Sequence, residues 1–115
     1  MKSGIQYKQG EIILVPFPYT NLVDIKQRPA LVLSKNEDNE RKEDLIVCAI
    51  TSQLKESTES ILITTENLEK WALPKQSAIK VSKIFSLDKN IIRKSFGKIN
   101  EATLEEVKEE FYRLV

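Results

Sequence analysis

Two apolar runs, each about a strand long and each joined to polar residues that no core would select, constrain this chain most. One reads Lys26-Gln27-Arg28-Pro29-Ala30-Leu31-Val32-Leu33-Ser34. The other reads Asp44-Leu45-Ile46-Val47-Cys48-Ala49-Ile50-Thr51-Ser52-Gln53. Proline cannot donate to a β-ladder, so Pro29 belongs at a first position or an edge, which suits a strand starting at Arg28. As antiparallel neighbours, the two runs bring Arg28 at the start of one strand to Thr51 at the end of the other. A guanidinium beside a hydroxyl and an amide at a sheet rim is suited to an anion such as phosphate.

The remaining segments read as short strands and one clear helix. Glu11 to Val15 is an apolar run opened by Gly10 and stopped by Pro16 and Pro18. Phe17 to Lys26 reads as a loop, and Asn36 to Glu43 as a polar connection. Ser60 to Thr64 is a third strand. Thr65 is placed to cap a short helix through Trp71, ended by Pro74. Ala78 to Phe85 reads as a half-exposed strand, Ser86 to Asn90 as a turn, and Arg93 to Ile99 as a further strand. Asn100 is a fitting N-cap for a terminal helix whose Leu104, Val107, Phe111 and Leu114 form one apolar stripe. Short strands with one terminal helix predict a small, strongly bent sheet or barrel, partly covered by the helix.

At 115 residues the chain is expected to be one domain, 1–115, with a single core. Its apolar stretches are strand-length, and its start lacks the apolar core of a signal peptide. A cytoplasmic protein without membrane contact is the expectation. With no histidine and one cysteine, a His/Cys metal ligand set is excluded, and acid–base chemistry near neutrality must use other groups. Cys48, inside an apolar strand, reads as an inert small hydrophobe. The net charge of +1 gives no overall drive toward nucleic acid or membrane. Between Ala78 and Lys98, however, six basic residues accompany one acid, Asp88, and Glu101 to Glu110 holds five acids and one base. Such blocks either present a positive face or spread over a solvated surface.

Five segments occur in a telling order: Gly10-Glu11-Ile12-Ile13-Leu14-Val15-Pro16-Phe17-Pro18, Arg28-Pro29-Ala30-Leu31-Val32-Leu33-Ser34, Ile50-Thr51-Ser52-Gln53, Leu73-Pro74-Lys75 and Ser86-Leu87-Asp88-Lys89. In these, over nearly its whole length, the chain resembles the MazF/PemK-like toxin family, the endoribonucleases of type II toxin–antitoxin systems. The resemblance implies a mainly β (α+β) fold, a small SH3-like barrel built on a strongly bent antiparallel sheet with a C-terminal helix. It implies a homodimer that cleaves single-stranded RNA, often messenger RNA, at short preferred sequences and without metal or cofactor. It also implies a cognate antitoxin whose tail crosses the RNA groove, with operator DNA as a ligand of the toxin–antitoxin complex.

Carried over by residue, Arg28 matches the family's active-site arginine, Thr51 its active-site threonine, and Gln53 the motif glutamine beside it. Gln53, Ser52, Thr20, Asn21, Tyr19 and Lys80 are the expected substrate-binding residues. There are two departures. Tyr19 to Asp24 replaces a Gly-Ser-Glu-type loop found in many relatives. Where some relatives pair a basic residue with an aspartate two positions on, this chain has Lys80 and Ser82, and serine supplies no carboxylate.

Metal-free RNA cleavage normally uses the ribose 2′-hydroxyl as nucleophile, and negative charge gathers on the phosphoryl oxygens. Arg28 suits those oxygens through its two-pronged fork, Thr51 can donate to them, and Gln53 can reach phosphate or a base edge. Arginine is a poor base in water, so Arg28 is assigned to charge stabilisation, with proton donation as a further role. Glu11, Asp24 and Lys80 are conceivable proton acceptors without a spacing argument, and Glu11 reads first as structural. Phe17 and Tyr19 are aromatic candidates for base stacking, with core packing beside Pro16 the favoured reading of Phe17. The rival readings are a catalytically inactive RNA- or peptide-binding module of the same barrel, and a protein acting through protein contacts alone.

Overall fold

The computed structural model describes residues 6–17, 26–52, 54, 60–70, 73 and 75–115. In chain order the elements are β1 (Glu11–Phe17), β2 (Lys26–Val32), α1 (Asn36–Arg41), β3 (Asp44–Thr51), β4 (Ser60–Ile63), β5 (Leu68–Lys70), β6 (Ser77–Asp88), β7 (Lys94–Ile99) and α2 (Glu101–Leu114). The strands form one seven-stranded sheet in the order β4-β6-β3-β2-β1-β7-β5. Every neighbouring pair is antiparallel. The fold is therefore mainly β, a curled half-barrel sheet with a C-terminal helix, as expected. Among the described residues no helix is long and apolar enough to cross a membrane.

The central strands are continuous apolar runs because both faces of the sheet are covered. One face carries Ile13, Val15, Ala30, Val32, Val47 and Ala49, with Tyr7, Phe85 and Ile92 packed on them. The other carries Ile12, Leu31, Cys48, Ile50 and Ile79, and receives Leu104, Val107 and Phe111 of α2. The helix stripe thus packs on the sheet through Phe111, while Leu114 at its end stays 39% exposed. Asn100 caps α2 as its spacing suggested, its side chain accepting from Thr103 N at 2.8 Å.

Gly10 introduces β1 with φ 92°, a left-handed conformation that favours glycine. A Cβ there would lie 3.6 Å from Ile99 Cγ1, so the requirement is conformational and not one of space.

Several local expectations are corrected. β1 continues through Pro16 to Phe17. Leu14 is its last residue paired with β7, so Pro16 lies where that side of β1 is open and a missing N–H costs little. Pro29 is in mid-strand, but β2 meets β3 only from Ala30 onward, so it too sits on a locally open edge. Residues 36–41 form a short helix instead of a bare connection, held by buried Asn39. Its side chain bonds Ser34 Oγ at 2.5 Å and Ser34 O at 2.9 Å. Lys89 Nζ donates to its carbonyl. The helix expected from Thr65 is a single 3₁₀ turn capped by Thr64, after which Leu68 pairs with Ile99 as a strand. The turn expected at Ser86 to Asn90 falls later, since β6 runs unbroken to Asp88.

β6 contains the main irregularity of the sheet. Its register against β3 passes from Cys48↔Ile84 directly to Ala49↔Lys80. Val81, Ser82 and Lys83 therefore have no opposite number on β3, and bulges of this kind sharpen strand curvature. Beyond the break, the Ser77–Lys80 half of β6 lies between β3 and β4 and pairs with both.

Candidate active site

The site is read from strand register. β2 and β3 pair as Ala30↔Ala49, Leu31↔Cys48 and Val32↔Val47. Continued two residues, that register sets Arg28 opposite Thr51, the juxtaposition expected from the two apolar runs. Arg28 is also opposite Val15 of β1, and Thr51 opposite Ala78 of β6. One row across the sheet is therefore Val15, Arg28, Thr51, Ala78. Side chains alternate between faces, so Arg28 and Thr51 share the face of Ala30, Val32 and Ala49, opposite to α2.

Lys80 joins them. It is opposite Ala49, one row along from Thr51 on the same face. Diagonal neighbours of this kind lie about 7–8 Å apart, within reach of a long side chain. Arg28, Thr51 and Lys80 are each half-buried, with the Nε of Arg28 below the surface. The register thus sets a guanidinium, a hydroxyl and an ammonium on one face near the rim where β2 and β3 separate. That arrangement supplies donors and positive charge to an anion, and burial of the stems strengthens the charges.

Ser52 follows Thr51 and is exposed. Tyr19, Thr20, Asn21 and Gln53 lie outside the described residues, as do Asp24 and Trp71; Phe17 ends β1. Ser82 is exposed within the β6 bulge.

Of the three conceivable proton acceptors, Glu11 is placed elsewhere. It is four residues from Val15 along β1, about 13 Å from the Arg28 row. Its carboxylate accepts from Ser95 Oγ at 2.6 Å and from the backbone N–H of Lys8. Glu11 is thus hydrogen-bonded at the strand start, in the structural role its position suggested. Burial, and secondarily Glu11, raises the pKa of Tyr7. Cys48 is fully buried, and burial pushes its thiol from 9.0 up to about 12.

The basic stretch from Lys80 to Lys98 does not form one patch. β6 and β7 are separated by β3, β2 and β1, so its two ends are four strand spacings, about 19 Å, apart along the curled sheet. Lys89 is committed to Asn39, Lys94 sits 5.9 Å over the Phe96 ring, and Lys98 pairs in register with Glu11. Two residues of this neighbourhood escaped the sequence reading. Ser60 is opposite Lys80 and Leu62 opposite Ala78, so edge strand β4 adjoins the site. Their segment is recognisable as a strand, but its place in the sheet carries no sequence signal.

Comparison with family models matches residues 8–115 to the PemK-like, MazF-like toxins of type II toxin–antitoxin systems. Comparison with curated proteins gives no match. Among solved structures, a MazE–MazF complex from Deinococcus radiodurans is similar at 21% identity and TM-score 0.78, covering 96% of each chain. A mycobacterial endoribonuclease in complex with its cognate antitoxin is similar at 15% identity and TM-score 0.72, covering 93% of this chain and 92% of that one. The Mycobacterium tuberculosis toxin MazF-mt6 is similar at 14% identity and TM-score 0.73, covering 90% of this chain and 93% of that one.

Proposed function

Because this chain belongs to the PemK-like, MazF-like family of type II toxin–antitoxin toxins, we propose that it is an endoribonuclease that cleaves single-stranded RNA at preferred sequences. The observation that supports the proposal is the β2–β3 register from Ala30↔Ala49, which, continued two residues, sets Arg28 opposite Thr51, with Lys80 opposite Ala49 on the same face. In this reading the scissile phosphate sits over that row. The 2′-hydroxyl of the preceding ribose attacks phosphorus in line as its proton passes to solvent. The P–O5′ bond breaks, and the 5′-oxygen leaves with a proton taken up from solvent. The products are a 2′,3′-cyclic phosphate and a 5′-hydroxyl.

Arg28 holds the phosphoryl oxygens and offsets the charge that grows on them, a contribution typically worth about 3–4 kcal/mol of barrier. Thr51 donates to the same phosphate and fixes its orientation. Lys80 adds positive charge from the next row. Gln53, Ser52, Tyr19, Thr20 and Asn21 contact the flanking nucleotides. Correct placement of the ribose and phosphate supplies much of the remaining acceleration.

The toxin acts in the cytoplasm as a homodimer and is silenced by a cognate antitoxin. The antitoxin complexes of the Deinococcus and mycobacterial structures support that partner. The toxin–antitoxin pair binds operator DNA. Induced expression tests the function: wild type is expected to arrest growth and fragment messenger RNA, and Arg28→Ala to do neither. RNA bound tightly but left intact would instead mark a non-catalytic binding module, consistent with Ser82 in place of a carboxylate.

A further inference from the structure

Lys80 stands where the ladders of β6 run out. It is the last residue of its half of β6 paired with β4, through Ser60↔Lys80, and the last paired with β3 before the break, through Ala49↔Lys80. Among the described residues, Val81, Ser82 and Lys83 have no opposite number in either ladder. Ladder ends open first, and three unopposed residues give the strand slack. Side chains alternate along a strand. A slip of one residue would therefore carry Lys80 to the α2 side of the sheet and Val81 to the side of Arg28 and Thr51.

Ser82 and Lys83 are exposed, but Val81 is 0% exposed. It belongs to the cluster that α2 covers, together with Ile79 and Val107. Ile79 and Val81 thus flank Lys80 as two buried anchors on the far face. Ile79 is also held by both ladders, through Ile50 and Ile61, whereas Val81 is held by its burial. We propose that Val81 is a positioning residue: buried beneath α2, it keeps Lys80 on the Arg28–Thr51 face and so sets the affinity of that rim for a phosphate. It touches no substrate and acts through the Lys80 ammonium. Exposing its apolar side chain to water opposes the slip. The inference rests on the RNA reading above for the identity of the anion, and on register and burial for the placement of Lys80.

The test is a double-mutant cycle of Val81→Ala and Lys80→Ala. The probe is a 2′-O-methyl RNA of mixed sequence, which has no free 2′-hydroxyl and stays intact while bound. Val81→Ala is expected to bind it about threefold more weakly, the low end of couplings between neighbouring residues. Its salt slope should move toward that of Lys80→Ala, because a phosphate contact is lost part of the time. In the Lys80→Ala background the same substitution should leave affinity unchanged. Amide exchange at Ile79 and Lys80 should quicken in Val81→Ala. Ile12→Val, in the same cluster but on β1, should lower the urea midpoint and alter neither affinity nor salt slope. Should Val81→Ala not fold, Val81→Thr, of the same shape, takes its place in the cycle. Unchanged affinity in the Val81 variant, or an equal loss with and without Lys80, would overturn the proposal. If the wild-type protein fails to bind the probe, the proposal falls; if it also leaves unmodified RNA uncut, the RNA reading falls with it.

Discussion

At the scale of single residues, the proposed chemistry and the architecture fall to different groups. Arg28 and Thr51 sit where a ladder ends, while Glu11, Tyr7 and Cys48 are spent on the fold. Replacing Arg28 by alanine is expected to lower kcat by about 100- to 1,000-fold, as for other fixed oxyanion donors, with a smaller change in KM. Arg28→Lys should recover part of the rate, because an ammonium restores charge without the fork. Steady-state kinetics on a fluorogenic RNA reads both. Cys48 makes a separate prediction. Its folded pKa lies above the ordinary 9.0 at about 12, so the associated stability is intact below pH 9 and lost as pH rises toward 12. The loss approaches about 1.4 kcal/mol per pH unit in that window. Urea melts at pH 8 and 10.5 should show it, and Cys48→Ala should flatten the difference. The same thiol should resist aromatic disulfide reagents at pH 8 until the protein unfolds.

Elements show how much the sequence could say. The apolar runs at Glu11–Val15, Arg28–Leu33 and Leu45–Thr51 were legible because both faces of those strands are buried, which leaves no polar alternation to confuse them. The α2 stripe and its Asn100 cap were legible because both depend on neighbours three and four residues away. What could not be read depends on distant partners. Leu68–Lys70 is a strand because Ile99 and Lys98 are beside it, which overrides a local capping signal. Pro16 and Pro29 sit inside strands because tertiary pairing leaves their sides open. The β6 bulge has no glycine or proline to announce it, yet it shifts the β3 register by three residues before the stretch that β6 shares between β3 and β4. Asn67 links two elements, donating to Thr103 Oγ1 at 3.0 Å and accepting from Thr64 N at 2.8 Å, and Asn100 N reaches its carbonyl. Asn100→Ala removes the cap on Thr103 N and the Nδ2 bond to Glu66 O, and should cost about 1 kcal/mol or somewhat more, measured as a lowered urea midpoint with unchanged slope.

For the whole molecule, a net charge of +1 conceals where the positive charge works. The basic stretch that looked continuous is divided by three strands, and Lys80 is the member that reaches the Arg28 face. RNA affinity should consequently be modest in its salt dependence. With about three phosphate contacts on a single strand, log K should fall against log salt with a slope near −2, and Lys80→Ala should reduce the slope by about 0.7. A strongly basic groove would give a much steeper line. The candidate site was legible as a pair, Arg28 with Thr51, because antiparallel order alone brings those ends together. Lys80 was named through the family resemblance, and its place one row from Thr51 depends on the register of β6.

The most direct test of the phosphate clamp is the chemistry of the cut ends. A single-stranded RNA of mixed sequence is incubated in EDTA with wild type, Arg28→Ala and Thr51→Val, and the product termini are identified by mass spectrometry. Expected are 2′,3′-cyclic phosphate and 5′-hydroxyl ends from wild type, a severe loss with Arg28→Ala and a partial loss with Thr51→Val. Intact RNA with the wild-type protein, or equal cleavage by wild type and Arg28→Ala, would contradict the assignment of this sheet rim as the active site.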